Sequence, residues 1–256
     1  MKQWFRYESG GGQSGYPEWL QDPPPDHYRS GKSGIQLPPW LSSAAYVLIA
    51  INVAVYVIEA LFFAGRPLLV AGWNFGPAIR AGEYYRLVTS MFLHGDVMHL
   101  AMNGLAIYVL GTMVESSIGP WRFLVLYFAG GLAGSAASLY FMPNVASVGA
   151  SGAVFGLFGY LLYTRWRNPL ALSPAVSQWV KTLLIVNIVI TILPGTNIDI
   201  WGHFGGLAGG FLAGNIVGTP GWTNSFARMR RPQELGRAIL AALVLVIGIL
   251  FSIFGG

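Results

Sequence analysis

Residues 200–218 read IWGHFGGLAGGFLAGNIVG. Gly206, Gly210, Gly214 and Gly218 recur every fourth residue. Positions four apart share one face of an α-helix, so the stretch predicts an apolar helix with a glycine stripe. Such a stripe lets helix backbones approach closely inside a bilayer. Working outward, six more apolar segments cover residues 41–63, 97–114, 123–142, 149–164, 179–193 and 238–254. At 1.5 Å per residue several of them cross the ~30 Å of a hydrocarbon core. Barrel strands would alternate polar and apolar residues, and these segments do not.

Composition points the same way. The 256 residues are 54% hydrophobic and only 10% charged, against about 25% charged in ordinary soluble domains. Mean hydropathy is +0.54. A soluble chain of this length needs more charge to cover its surface, so the expected class is an all-α polytopic membrane protein. Cysteine is absent, which excludes disulfides, thiolate metal sites and a cysteine nucleophile. The net charge of +5 reads as lysine and arginine held at a membrane face rather than as a nucleic-acid surface.

Three regions are expected: a flexible tail over 1–40, a six-helix core over 41–218, and a basic linker with a seventh helix over 219–256. The tail is rich in Gly, Pro, Ser and Gln, contains Pro23-Pro24-Pro25 and lacks the apolar run of a signal peptide. With the N-terminus inside, the inner stretches hold twelve of the fifteen basic residues, among them Arg122, Arg165, Arg167, Lys181 and Arg228. The outer stretches hold Arg66, Arg80 and Arg86. This bias predicts a cytoplasmic N-terminus and a C-terminus outside. Residues 64–96 mix aromatics with Gly72, Gly76, Pro77 and Gly82 and predict a partly inserted outer loop.

Polar groups inside spans are costly and need a reason. His94, His99 and His203 lie at or within apolar segments. Three histidines could ligate zinc, but there is no HExxH and no carboxylate at ligand spacing, so no metal or other cofactor is expected. Gly149-Ala150-Ser151-Gly152 opens a span of about 16 residues, roughly 24 Å long. A helix that short starts below the membrane surface and places Ser151 in a submerged cavity. Its first-turn N–H groups and dipole suit an oxyanion, although the motif alone is more often a serine N-cap flanked by packing glycines. The fourth and sixth spans run in the same direction, so Ser151 and His203 lie at similar depth, and glycine faces bring such helices within hydrogen-bond reach. His99 and Asn103 are four apart and face one side, as oxyanion donors or as a polar pair bridging helices.

Together these segments carry a resemblance. Glu83-Tyr84-Tyr85-Arg86, His94-x4-His99-x3-Asn103, Gly111-x3-Glu115-x3-Gly119, Gly149-Ala150-Ser151-Gly152 and Gly202-His203-x2-Gly206 resemble, in order and placement, the rhomboid family of intramembrane serine proteases. The resemblance runs from about Arg80 to Gly214. It implies a rhomboid-like six-helix bundle, here with one additional C-terminal transmembrane helix, that cleaves transmembrane segments of membrane-protein substrates through a Ser–His dyad. Carried across, Ser151 is the nucleophile and His203 the general base. His99 and Asn103 supply oxyanion-hole side chains, and Gly149 shapes the hole. His94, Arg86 and Glu115 match structural positions. Two positions depart from the family pattern: Tyr85 stands where Trp is frequent, and Phe155 where Tyr often packs on the histidine. The implied partners are transmembrane substrates and the lipid bilayer, with no nucleic acid or nucleotide. The implied setting is a prokaryotic plasma membrane. A catalytically silent relative that binds transmembrane segments for quality control is the alternative, and the presence of both Ser151 and His203 favours the enzyme.

Overall fold

The apolar segments fold as α-helices, and the glycine-rich one packs closely on two of the others. The computed structural model describes residues 43–63, 65–196, 198–220 and 232–255. The expected tail, 1–40, and the arginines of the basic linker at 228–231 lie outside the described residues. The element order is α1 (Ala44–Phe62), α2 (Pro67–Gly72), α3 (Gly76–Arg80), α4 (Arg86–Thr89), a 3-10 turn (Ser90–Phe92) and α5 (Val97–Ala106). A π turn (Ile107–Gly111) joins α5 to α6 (Thr112–Ile118). Then come α7 (Pro120–Phe141), α8 (Ser151–Arg167), α9 (Pro174–Ile192), α10 (Ile200–Val217) and α11 (Pro232–Phe254). The chain is an all-α polytopic membrane protein.

Five rods are long and apolar enough to cross a membrane: α1, α5 through α6, α7, α9 and α11. The two shorter or more glycine-rich helices, α8 and α10, sit inside the others. Eleven of the seventeen α8 residues are buried, and α10 packs along both α7 and α8. Side chains are almost excluded from these contacts. A Cβ added to Gly206 would lie 2.1 Å from the Gly152 carbonyl oxygen, and one on Gly210 would lie 1.9 Å from that of Gly156. A second stripe, not read from the sequence, faces α7: a Cβ on Gly205 would lie 2.4 Å from Ala137 Cβ, and one on Gly209 2.3 Å from Ala133 Cβ. Below these contacts Phe123, Tyr127, Phe158, Tyr160 and Tyr163 fill the core.

The helix ends differ from the apolar segments where caps outweigh hydropathy. Ser173 caps α9 and Pro174 occupies its first turn, a favoured helix start, so the helix begins five residues before Trp179 and leaves Lys181 exposed. α11 begins at Pro232, before the apolar run, and Glu234 pairs there with Arg167 of α8 at 2.8 Å. Its other end meets Tyr84 and Tyr140 through Phe254 and Phe251.

Three polar side chains tie the segments together. Glu115, in α6, accepts from the Ala44 and Ala45 backbone N–H groups at 2.7 and 3.0 Å and from the Ser43 hydroxyl at 2.7 Å. A carboxylate thus caps the N-terminus of α1 and complements its dipole. Glu59, buried near the other end of α1, accepts from Arg66 at 3.1 Å and from the Leu69 N–H at 2.6 Å. Arg86 is buried and donates to Glu83 and to the carbonyls of Val70 and Trp73. The segment expected as one partly inserted loop therefore folds as three short helices pinned by Arg86 and Arg66.

Candidate active site

Ser151 is the first residue of α8 because Gly149 cannot be helical. Gly149 has φ +121°, a region that L side chains rarely adopt. The first bond of the α8 ladder runs from the Val154 N–H to the Ala150 carbonyl at 3.0 Å. The N–H groups of Ser151, Gly152 and Ala153 therefore precede the ladder and point out of the helix start.

The strand of chain leading to Ser151 is fixed from the other side of the loop region. Asn74 and Ser147 exchange two backbone hydrogen bonds at 2.9 and 3.0 Å. The Gly76 N–H donates to the Pro143 carbonyl at 2.8 Å, and the Gly149 N–H to the Ser90 carbonyl at 2.9 Å. The Asn74 side chain donates to the Ser135 carbonyl at 2.8 Å, and the Ser135 hydroxyl donates to the Leu87 carbonyl at 3.0 Å. Short helices that carry no candidate catalytic group thus set the approach to α8.

His99 and Asn103 project from α5 onto this approach. Asp96 caps α5 by accepting from the His99 N–H at 2.8 Å. A Cβ on Gly149 would lie 2.6 Å from His99 Nε2 and 3.4 Å from Asn103 Nδ2. Gly149 is therefore required twice, by its φ and by these two side chains. Asn103 is buried, and its Nδ2 has no protein hydrogen-bond partner among the described residues, a costly state for a buried donor. His94 packs edge-on against His99, with ring centroids 5.2 Å apart. Burial, then the neighbouring His99, pushes its pKa down to about 4. Its carbonyl accepts from Arg66 at 2.6 Å. In the outlying loop, hydrogen bonds from Tyr85 and then Arg86 lower the Glu83 carboxyl pKa, and that carboxylate in turn raises the Tyr85 phenol.

His203 stacks face to face on Phe155, with centroids 4.1 Å apart and planes 17° apart. Phe155 is one turn after Ser151 on α8, so the two share a face. His203 is buried, and its Nδ1 lies 2.8 Å from the Thr191 hydroxyl of α9. Asp199 caps α10 through the Gly202 N–H at 2.8 Å. Among the described residues no side-chain hydrogen bond engages the Ser151 hydroxyl. A cavity of about 30 Å³ lies beside Ser151, lined by Ser90, Ser135, Ser147 and Asp199 among others, with room for about two waters.

The fold thus sets His99 and Asn103 against Gly149, Ser151 at the start of α8, and His203 on Phe155 one turn further along that helix. Sequence reading missed Thr191 and the capping role of Asp199. The Asp199 cap was legible from its place just before a helix start. Thr191 carried no local signal, since its partner is twelve residues away on the next helix.

Comparison with known proteins bears on this arrangement. A family model described as "Rhomboid domain" matches residues 81–220, more than half of the chain. The chain is 34% identical over 204 residues to Rhomboid protease GluP of Bacillus subtilis (strain 168), covering 78% of this chain and 38% of that protein. It is 31% identical over 243 residues to RHOMBOID-like protein 4 of Arabidopsis thaliana, covering 82% and 61%. It is 30% identical over 182 residues to Rhomboid-like protease 3 of Toxoplasma gondii, covering 68% and 67%.

Proposed function

This chain belongs to the rhomboid family, and on that premise we propose that it is an intramembrane serine endopeptidase with Ser151 as nucleophile and His203 as general base. The observation that carries this reading is the flanking of one helix start. Two side-chain donors close around Gly149, and an imidazole lies on Phe155, one turn beyond Ser151.

The chemistry follows from the groups. A serine hydroxyl is a weak nucleophile until a base takes its proton. His203 Nε2 is the basic atom available, because Nδ1 is engaged by Thr191. As Ser151 Oγ attacks a peptide carbonyl, the proton passes to Nε2 and negative charge develops on the carbonyl oxygen. The Ser151 N–H, Asn103 Nδ2 and His99 stabilise that oxyanion. The unpartnered Asn103 donor is then a group held ready for charge that exists only during reaction. The imidazolium returns its proton to the leaving amine, and a water repeats the sequence on the acyl-enzyme. The substrates are transmembrane segments whose helix unwinds at the cut, since a helical backbone keeps its carbonyls in hydrogen bonds. No cofactor enters this scheme. The positive charges orient the chain with its N-terminus cytoplasmic and its C-terminus outside.

The test is a fluorophosphonate probe together with a transmembrane substrate. Wild type is labelled and cleaves. Ser151→Ala is not labelled, and its rate falls by several powers of ten at unchanged thermal stability. Cleavage by purified Ser151→Ala at the wild-type rate sinks the assignment.

A further inference from the structure

A neutral imidazole carries one proton on one of two ring nitrogens, and only one of the two tautomers leaves Nε2 free to act as a base. The Thr191 hydroxyl decides between them. Its oxygen lies 2.8 Å from His203 Nδ1 and 2.7 Å from the Asn187 carbonyl oxygen one turn back on α9. A carbonyl only accepts, and a hydroxyl has one proton to give. The Thr191 proton therefore goes to Asn187, and the Thr191 oxygen must accept from Nδ1–H. We infer that Thr191 is a positioning residue that fixes His203 in the Nδ1–H tautomer and turns the bare Nε2 toward the first turn of α8. The inference deepens the proposed function and rests on it for the role of His203 as base.

Two further features support this role. Thr191 and His203 are both buried, at 3% and 8% exposure, so water does not compete for the bond and its direction is enforced. Phe155 fixes the plane of the ring by stacking, while Thr191 fixes the rotation of the ring within that plane. The nearest acid along α10, Asp199, caps the helix instead. Thr191 thus occupies the place that a carboxylate holds in a Ser–His–Asp triad, but it orients without contributing charge. The chain of bonds ends on a carbonyl that cannot take a proton, so the proton from Ser151 stays on the imidazole.

The size of the effect follows from that difference. A neutral hydrogen bond corresponds to roughly a 3- to 10-fold change in rate, far below the ~10⁴-fold loss on replacing a triad aspartate with asparagine. Thr191→Val keeps the shape and removes the acceptor, and Thr191→Ser restores it. The direct readout is ¹⁵N magic-angle-spinning NMR of histidine-labelled protein in liposomes near pH 8, with His203→Ala assigning the signals. Wild type and Thr191→Ser should show a protonated Nδ1 and a bare Nε2 for His203. Thr191→Val should lose that tautomer preference, with kcat reduced about 3- to 10-fold, KM unchanged and the rate restored by serine. A His203 that keeps the Nδ1–H tautomer in Thr191→Val overturns the inference, whatever its activity. The tautomer signal needs no turnover, so a wild type that shows it but neither labels nor cleaves would refute the protease assignment while leaving the positioning role intact.

Discussion

Gly206→Ala adds one methyl group to the contact between α10 and α8, one turn from His203 and beside Gly152. The new Cβ would lie 2.1 Å from the Gly152 carbonyl oxygen, where ordinary contact begins at 3.4 Å. The neighbouring atom is backbone, so it cannot swing away. The helices must part locally by about 1.3 Å, the difference 3.4 − 2.1. A misplacement of ~1 Å at reacting groups costs about 100-fold in rate, while overpacking costs ~1–3 kcal/mol, or a few degrees in Tm. Activity should therefore fall much further than stability. Gly210→Ala is the informative comparison. Its Cβ would meet the Gly156 oxygen at 1.9 Å, an equal or worse clash, but about 6 Å further along the axis from the dyad. It should destabilise at least as much and inactivate less. Gly248→Ala, in α11 with nothing within 4 Å of the added Cβ, should change neither. The assay is the initial rate of transmembrane-substrate cleavage beside thermal unfolding in detergent. If Gly206→Ala cleaves at the wild-type rate, or if the two interface variants lose the same activity, close approach of α8 and α10 does not set the dyad geometry.

Two other predictions follow from the site. His99→Ala and Asn103→Ala should each lose about 10²–10³ in kcat; wild-type rates in both would remove them from the oxyanion hole. His94 is buried neutral, with its pKa lowered from 6.5 to about 4. The unfolded chain gains a proton on this residue below about pH 6.5 that the folded chain takes up only near pH 4, so the His94 contribution to stability falls across that window. His94→Asn should flatten the Tm–pH curve between 6.5 and 4 relative to wild type, and an unchanged slope would refute the assignment.

What could be read beforehand was whatever is periodic and local. α10 spans Ile200–Val217, the limits expected from hydropathy, because its glycines and apolar residues obey one helical period. The start of α8 was expected at Gly149 and lies at Ser151, because the Gly149 backbone at φ +121° leaves no trace in hydropathy. The short helices between α1 and α5 were not legible. None is long enough to have its own period, and they are held by Arg86 and Arg66 reaching carbonyls 13 to 29 residues away. Ser151, His203, His99 and Asn103 stood out as polar residues in apolar spans, whereas the role of Gly149 came from the resemblance to the rhomboid motif. The second glycine stripe escaped because Gly205 and Gly209 are adjacent to the first, and only three-dimensional packing separates the side facing α7 from the side facing α8.

The Glu115 cap has a consequence for biosynthesis. The first turn of α1 is completed by a carboxylate 70 to 72 residues downstream. At ~5–20 residues per second, about 4–14 s separate the synthesis of Ser43 from that of Glu115. Throughout that interval the N-terminus of α1 lacks its permanent carboxylate partner, while its donors are already in place when Glu115 emerges. The Glu115 cap therefore joins α1 to the second rod only after α1 itself has been made.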